Sequence, residues 1–459
     1  MESTQVSELP IGGQTADGVE IDTGVQAPAS SGKTSWAQKL HLKKSEGSGH
    51  GLKGDASLIQ SIIVSCSGAS IYTVVQPAAQ FNPFIMLLAL GFMVSLYAWN
   101  TNLIVKYIPI RTDVMLDKII ADNYKKPVAV TIKVIGQISS WLLMFGVIVV
   151  LLSYANECLL GVIFNRFSST YQAKWVVVIP TGIAFLLSFV RNPSIFVTLT
   201  GIGFWCEILS VINILYTIGR YSTKEDVKCW RASWHNPMKY GMFAVSRVDA
   251  ANAVFSFMGV LATALYLQSI IQSIFVVSKK PSHNSRNVWT AYGILFCVYA
   301  LCCMFSSVPF ACDPGAMGSD YMMYLHADHD AFGIITEIFY FFLNIFTLPL
   351  FLHVSIHTIL DYCPPVKPRT NYIITIVYSA CVIAVSAGLV ASGTSLQVLF
   401  QMGGVSTGVY WTLLPIFWDI KQTKGQKGWL LKSCFSVTLG FIIFWIVILQ
   451  FCFLSGAKK

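Results

Sequence analysis

Apolar segments of about 20 residues, each long enough to cross the hydrocarbon core of a bilayer as a helix, recur along most of this chain. Short polar segments separate them. The pattern predicts an all-α polytopic membrane protein with about eleven transmembrane helices. The predicted spans are 56–76, 82–105, 129–163, 173–191, 194–217, 249–278, 288–310, 332–354, 372–395, 397–420 and 430–455.

The first 54 residues have a different composition, rich in Gly, Ser, Thr, Gln and Lys, without apolar periodicity. Such a segment cannot bury enough apolar surface to fold, so 1–54 is predicted to be a disordered tail before a membrane domain at 55–455. With the amino terminus inside, the inward-facing segments hold twenty of the 31 Lys and Arg residues and the outward-facing ones ten. The positive-inside rule therefore predicts a cytoplasmic amino terminus. Plasma membrane and acidic organelle membrane both remain open.

Composition narrows the class of protein further. Hydrophobic residues make up 54% of the chain and charged residues 12%, too few charges to cover so much apolar surface in water. The net charge of +9 does not indicate nucleic-acid binding, because the basic residues lie in short runs between spans. The partners expected are membrane lipid, a solute and a coupling ion. No metal-ligand spacing or enzyme motif is present, so we expect no cofactor, no metal and no enzymatic activity.

The spans divide into two comparable halves. Residues 56–217 hold five spans and residues 249–420 hold five more, and 430–455 is an extra helix. Because five is odd, the second half must insert upside down relative to the first. This five-plus-five inverted repeat predicts a LeuT-like transporter with its substrate site near the midplane between the halves.

Each half begins with a span that has a feature expected to interrupt a helix. The first span contains the small, polar run Ser65–Ser70, and the sixth contains the segment Phe255–Gly259. Unwinding would expose N–H and C=O groups, which can bind the carboxylate and ammonium groups of a zwitterion. The alternative is close helix packing through small residues.

With these features the chain resembles the amino acid/auxin permease family of the amino acid–polyamine–organocation superfamily. The segment 403–408, Gly-Gly-Val-Ser-Thr-Gly, and the later 414–417, Leu-Pro-Ile-Phe, are similar to that family's glycine-rich tenth span. The resemblance implies amino acid transport by alternating access, often proton-coupled. Matching by position implies a set of substrate-binding residues from the two breaks, with Tyr154 and Asn344 added from the third and eighth spans. The residues of the breaks are Ser67, Gly68, Ala69 and Ser70, and Phe255, Ser256, Phe257, Met258 and Gly259.

Glu207 is an isolated carboxyl group midway along the fifth span. A charge at this depth is costly, so Glu207 is the candidate proton-coupling group or a partner for a cationic substrate. The alternative is a neutral, hydrogen-bonded core residue. A proton is favoured over Na+ as the coupling ion.

Two other functions stay open beside amino acid transport. One is a carrier for polyamines or cationic amino acids, and the other is a non-transporting amino acid sensor with the same fold. Cys229 and Cys312 both fall in loops predicted to lie outside, where a disulfide between them is chemically permitted.

Overall fold

In the first half of the membrane domain, the first predicted span is divided into short helices. A computed structural model describes residues 52–68, 70–79, 82–107, 126–164, 175–190, 192–234, 247–306, 308–310, 331–360, 368–393, 415–416, 419–421, 424–434 and 436–438. Its first helices are α1 (Asp55–Ser67), α2 (Ser70–Thr73), α3 (Val75–Ala79), α4 (Pro83–Tyr107), α5 (Lys126–Leu159, followed by a π-helix at Leu160–Phe164), α6 (Val178–Leu187) and α7 (Pro193–Tyr221).

In the second half, a short connecting helix is followed by a divided helix and then by long helices. Its elements are α8 (Lys224–Trp234), α9 (Arg247–Ala264), α10 (Ile271–Phe275), a 3₁₀ turn at Pro281–His283, α11 (Asn284–Phe305), a 3₁₀ turn at Val308–Phe310, α12 (Ala331–Leu360) and α13 (Pro368–Ala391).

Six of the described helices, α4, α5, α7, α11, α12 and α13, are long and apolar enough to cross a membrane, and α1 and α6 are shorter apolar helices. They fall on predicted spans, so the membrane-protein class is confirmed. Most of 397–420 and 430–455 lies outside the described residues, as does nearly all of the tail 1–54. The count of eleven, the extra helix and the repeat bounds therefore stay predictions.

A tight turn precedes α7 and has a local cause. The Asn192 side chain accepts a hydrogen bond from the Ser194 amide at 3.0 Å, and Pro193 occupies the first helical position of α7. A proline suits this position because its missing N–H would have no partner there. The sequence Asn-Pro-Ser therefore fixes where α7 begins.

Helix α1 lies inside the bundle, between α7 and α11, and α12 packs along both α5 and α7. From Ser61 to Gly68 every described residue of the first span is buried, polar residues included. Burial of Ser61 and Ser67 is tolerated because each hydroxyl bonds to a carbonyl one turn earlier, of Ser57 and Ile63 respectively. The first span is thus a core element and not a lipid-facing one.

Helix α8 is a polar helix joined to the end of α11. The Trp230 indole N–H donates to the Met304 carbonyl at 3.1 Å, and its ring stacks on Phe305. Cys229 is disulfide-bonded. Its predicted partner Cys312 lies outside the described residues, so the identity of the pair stays a prediction.

The start of α1 is tied to the start of α11 by a group of contacts that we name the α1 clamp. The Asp55 carboxylate contacts His283 Nδ1 and accepts from Arg286 Nη2, both at 2.9 Å, and accepts from Asn287 Nδ2 at 3.1 Å. Beside it, the Lys53 N–H donates to the Val277 carbonyl at 2.7 Å, and the Lys279 N–H donates to the Lys53 carbonyl at 3.0 Å.

Asp55→Asn should loosen the α1 clamp. Hydrogen bonds from His283 and Asn287 hold the pKa of Asp55 below its usual value of 3.8, with Arg286 adding a favourable charge. The stabilisation is therefore complete at neutral pH and is lost as pH falls below 3.8 through the lowered pKa. We expect the Lys53 and Lys279 amides to exchange hydrogen about two- to five-fold faster in the variant at neutral pH. Exchange no faster than in Glu225→Gln, a change on the distant α8, would contradict this.

Candidate functional site

The break predicted in the first span is present. Helix α1 ends at Ser67 and α2 begins at Ser70, with Gly68 between them and Ala69 outside the described residues. A Cβ atom at Gly68 would lie 2.9 Å from the Val64 carbonyl oxygen, a backbone atom. Glycine is required here because a side chain would push on the carbonyl that receives the Gly68 N–H hydrogen bond at 3.0 Å.

Tyrosines from two other helices bond to the backbone at this break. The Tyr340 hydroxyl of α12 donates to the Gly68 carbonyl at 2.9 Å, and the Tyr299 hydroxyl of α11 donates to the Cys66 carbonyl at 3.1 Å. Tyr299 is also hydrogen-bonded to the Ser70 hydroxyl. These bonds satisfy carbonyls that an intact helix would have paired internally.

The second break lies six residues beyond the predicted segment. Helix α9 is continuous through Phe255–Gly259 and ends at Ala264, and the interruption spans Leu265–Ile270. The Gln268 side-chain oxygen accepts from the Leu267 N–H at 3.0 Å, and the Tyr292 hydroxyl donates to the Leu265 carbonyl at 2.8 Å. Side chains thus bond to one N–H and one carbonyl within the break, in place of helical partners.

The displacement has a physical reason. Gly259 favours an interruption in the predicted segment, but a single glycine lowers helix stability by only about 1 kcal/mol and α9 tolerates it. The observed break contains neither glycine nor proline. It depends on Gln268 and on Tyr292 of another helix, which no local pattern announces. Whether Phe255–Gly259 binds substrate stays untested, although the backbone there is helical.

The two breaks face one cavity of about 30 Å³. Helices α5 and α12, the third and eighth predicted spans, close its remaining sides. No charged side chain is among the lining residues within the described part of the chain. They are Val64, Ser65, Cys66, Ser70, Val147, Val150, Leu151, Thr263, Ala264, Tyr266, Thr347 and Phe351. A volume of this size holds about two water molecules, so the cavity must enlarge before it can accept an amino acid.

The two side chains expected to complete the site lie beside this cavity without lining it. Tyr154 is fully buried, is hydrogen-bonded to the Thr73 hydroxyl and packs edge-on against Tyr340, with 5.7 Å between ring centroids. Asn344 is fully buried on α12, and its Nδ2 donates to the Tyr340 carbonyl at 2.8 Å. Both residues therefore support Tyr340, which bonds to the break.

Of the residues predicted from the breaks, Ser70 lines the cavity directly. Ser67 is buried and bonds to the Ile63 carbonyl at 2.6 Å, and Phe257 and Met258 are buried on α9. Sequence analysis missed Thr263, Tyr266 and Thr347. Their position as polar residues inside predicted spans six and eight was the available signal, but many polar residues share it.

Glu207 lies in the core of the bundle. Its side chain is 2% exposed, the Ser67 hydroxyl lies beside it, and neither carboxyl oxygen has a hydrogen-bond partner among the described residues. The Ser67 hydroxyl donates elsewhere, to Ile63. A charged carboxylate in this position would be unpaired and poorly solvated, so the neutral, protonated form suits the site as it stands.

Tyr340→Phe should destabilise the protein by about 1–3 kcal/mol, because the buried Gly68 carbonyl would lose its donor. Unfolding of purified protein in mixed micelles measures the change. Tyr216→Phe is the matched control, since Tyr216 is 43% exposed and its loss should cost about 0.5 kcal/mol or less. Equal stability of the two variants would show that Tyr340 does not support the break.

Comparison with known proteins identifies the fold. No protein-family model matches the sequence, and no curated protein matches it. Among solved structures, a Na+-coupled sialic acid symporter in a substrate-bound, outward-open state aligns with a TM-score of 0.57 and 10% identity over 88% of this chain and 93% of the other. Mhp1, a nucleobase-cation-symport-1 family transporter in a closed conformation with bromovinylhydantoin bound, aligns with a TM-score of 0.50 and 12% identity over 88% and 92%.

These matches confirm the expected fold class, an all-α polytopic membrane protein of the LeuT-like type. They extend over nearly the whole of both transporters. Identities of 10% and 12% are too low to carry over a substrate, an ion or a residue's role. The amino acid/auxin permease family, expected from the sequence, stays a prediction.

Proposed function

We propose that this protein is a secondary active transporter that moves amino acids across a membrane by alternating access. The observation that carries the proposal is the convergence of two interrupted helices, one from each half, on one small cavity. In inverted-repeat transporters the substrate site lies at such a junction. Both solved structures of similar fold are named as symporters, which agrees with coupled transport.

The lining of the cavity favours a solute with no net charge. Hydroxyl groups of Ser65, Ser70, Thr263 and Thr347 and the backbone at the breaks are its polar features. A zwitterionic amino acid can bond its carboxylate to N–H groups and its ammonium to carbonyls without a charged side chain. A polyamine or cationic amino acid would call for an acidic lining residue, and Glu207 is not among those lining the cavity.

Glu207 is the proposed proton-coupling group. Glu207 lies beside Ser67, and Cys66, the residue before Ser67, lines the cavity. The protonation state of Glu207 therefore acts on the break without contact between its carboxyl group and the solute. In the arrangement seen here the Glu207 carboxyl is protonated, since burial without a partner disfavours the charge. Release of the proton requires that water or a donor reach Glu207, which opening of α1 would provide.

Na+ is the competing coupling ion, because one of the structures with a similar fold belongs to a Na+-coupled symporter. The finer assignments are also proposals. They are membership of the amino acid/auxin permease family, a cytoplasmic amino terminus, and residence in the plasma membrane or an acidic organelle membrane.

Proteoliposomes containing the purified protein should accumulate labelled neutral amino acids when a pH gradient is imposed. A panel of amino acids and putrescine, each tested with a proton gradient and with a Na+ gradient, separates the candidate solutes and ions. Accumulation with only the Na+ gradient would overturn proton coupling. Saturable amino acid binding without flux under either gradient would favour the non-transporting sensor.

Glu207→Gln should reduce proton-driven accumulation at least ten-fold while solute exchange at equal pH continues, because the amide is neutral at every pH. The matched control is Glu337→Gln, which replaces another buried carboxyl, 3% exposed, on α12. Uptake is measured against the imposed pH gradient. Equal loss of proton dependence in both variants, or unchanged dependence in Glu207→Gln, would remove Glu207 from its assigned role.

A further inference from the structure

A groove separate from the central cavity runs along the seam between α1 and α7. It has a volume of about 230 Å³, larger than the cavity between the breaks. Ser57 and Gln60, three residues apart on one face of α1, form one side together with Lys53, which precedes the helix. A face of α7 forms the other side. The α7 residues are Val197, Thr198, Gly201, Ile202 and Trp205.

The groove has one cationic end and one apolar end. At the first, the Lys53 Nζ donates to Thr198 Oγ1 at 2.9 Å, and an ammonium group has two further N–H donors. At the other, Ile202 and Trp205 are 47% and 63% exposed. Trp205 is the seventh residue after Thr198 on α7, which corresponds to a rise of about 10 Å along the helix axis. In front of Gly201 there is free space, since an added Cβ would meet only the Gln60 side chain, at 3.7 Å.

The surrounding charge is positive. Lys279 and Lys280 are exposed and directly follow Ser278, which pairs with Lys53 in an isolated β-bridge. Arg286 lies further along the chain. Asp55, two residues after Lys53, is already bonded to Arg286, His283 and Asn287. A ligand that matches the groove therefore carries a negative group at Lys53 and an apolar chain toward Trp205.

We propose that this groove binds an anionic phospholipid, with the phosphate at Lys53 and part of an acyl chain along Gly201, Ile202 and Trp205. Charge complementarity and the amphiphilic layout of the groove select a lipid over a soluble anion. Because Lys53 belongs to the α1 clamp, a bound lipid would hold the inner end of α1 against α7. The proposal is independent of transport and is tested by binding alone.

Native mass spectrometry of the purified full-length chain, titrated with phosphatidylserine or phosphatidylcholine of equal chain length, tests the site. Phosphatidylserine should bind more tightly, and Lys53→Gln should weaken it about five-fold, the effect of one cation near a membrane surface, with phosphatidylcholine unchanged. Lys53→Arg should retain binding. Gly201→Leu, which fills the groove, should weaken both lipids, whereas the control Gly293→Leu, at an open position on α11, should weaken neither.

Three results would overturn the proposal. The first is equal phosphatidylserine affinity in the wild type, Lys53→Gln and Gly201→Leu. The second is full competition by inorganic phosphate at equal concentration, which would identify a soluble-anion site. The third is loss of a dimer in Gly201→Leu without any change in lipid binding, which would identify a contact between copies. Retention of the wild-type melting temperature by Lys53→Gln and Gly201→Leu confirms that the variants are folded.

Discussion

The need to pair every backbone polar group at membrane depth governs this structure. Two spans are interrupted inside the bundle, where water is not available to the freed carbonyls. Tyr299 and Tyr340 bond to the first break and Tyr292 to the second, and Gln268 supplies the acceptor for Leu267. Because the three tyrosines belong to α11 and α12, the breaks and the bundle around them stabilise each other. Neither would persist without the other.

The contacts that hold α1 differ in strength along its length. At its start, Asp55 and Arg286 are bonded where both are partly exposed, and such a bond in water contributes little. Near the break, the bonds to the Cys66 and Gly68 carbonyls are fully buried and costly to lose. An opening movement would therefore separate the first half of α1 from the start of α11 and leave the tyrosine bonds intact. The break itself is the natural hinge.

Sequence patterns predicted those features that depend on local chemistry. Long apolar runs predicted the spans, including the beginning of the fifth near residue 194, and the run containing Gly68 predicted the first break. The second break was misplaced because Gln268 and Tyr292 come together only in the folded bundle. The depth of Glu207 could be inferred from its span, but its neighbour Ser67 could not. Polar partners contributed by distant helices leave no periodic signal.

The separation of Glu207 from the cavity has a physical consequence for coupling. A carboxylate inside the cavity would attract cations and would compete with the solute for the freed N–H groups. Placed beside Ser67, it can instead favour one arrangement of the break when neutral and another when charged, because a buried charge must find water or a donor. Under the proposed function, solute binding would act on the same break from the cavity side, where Cys66 and Ser70 lie. Two ligands that act on one movable element are coupled without touching. Their coupling free energy cannot exceed the difference in either ligand's binding free energy between the two states of that element.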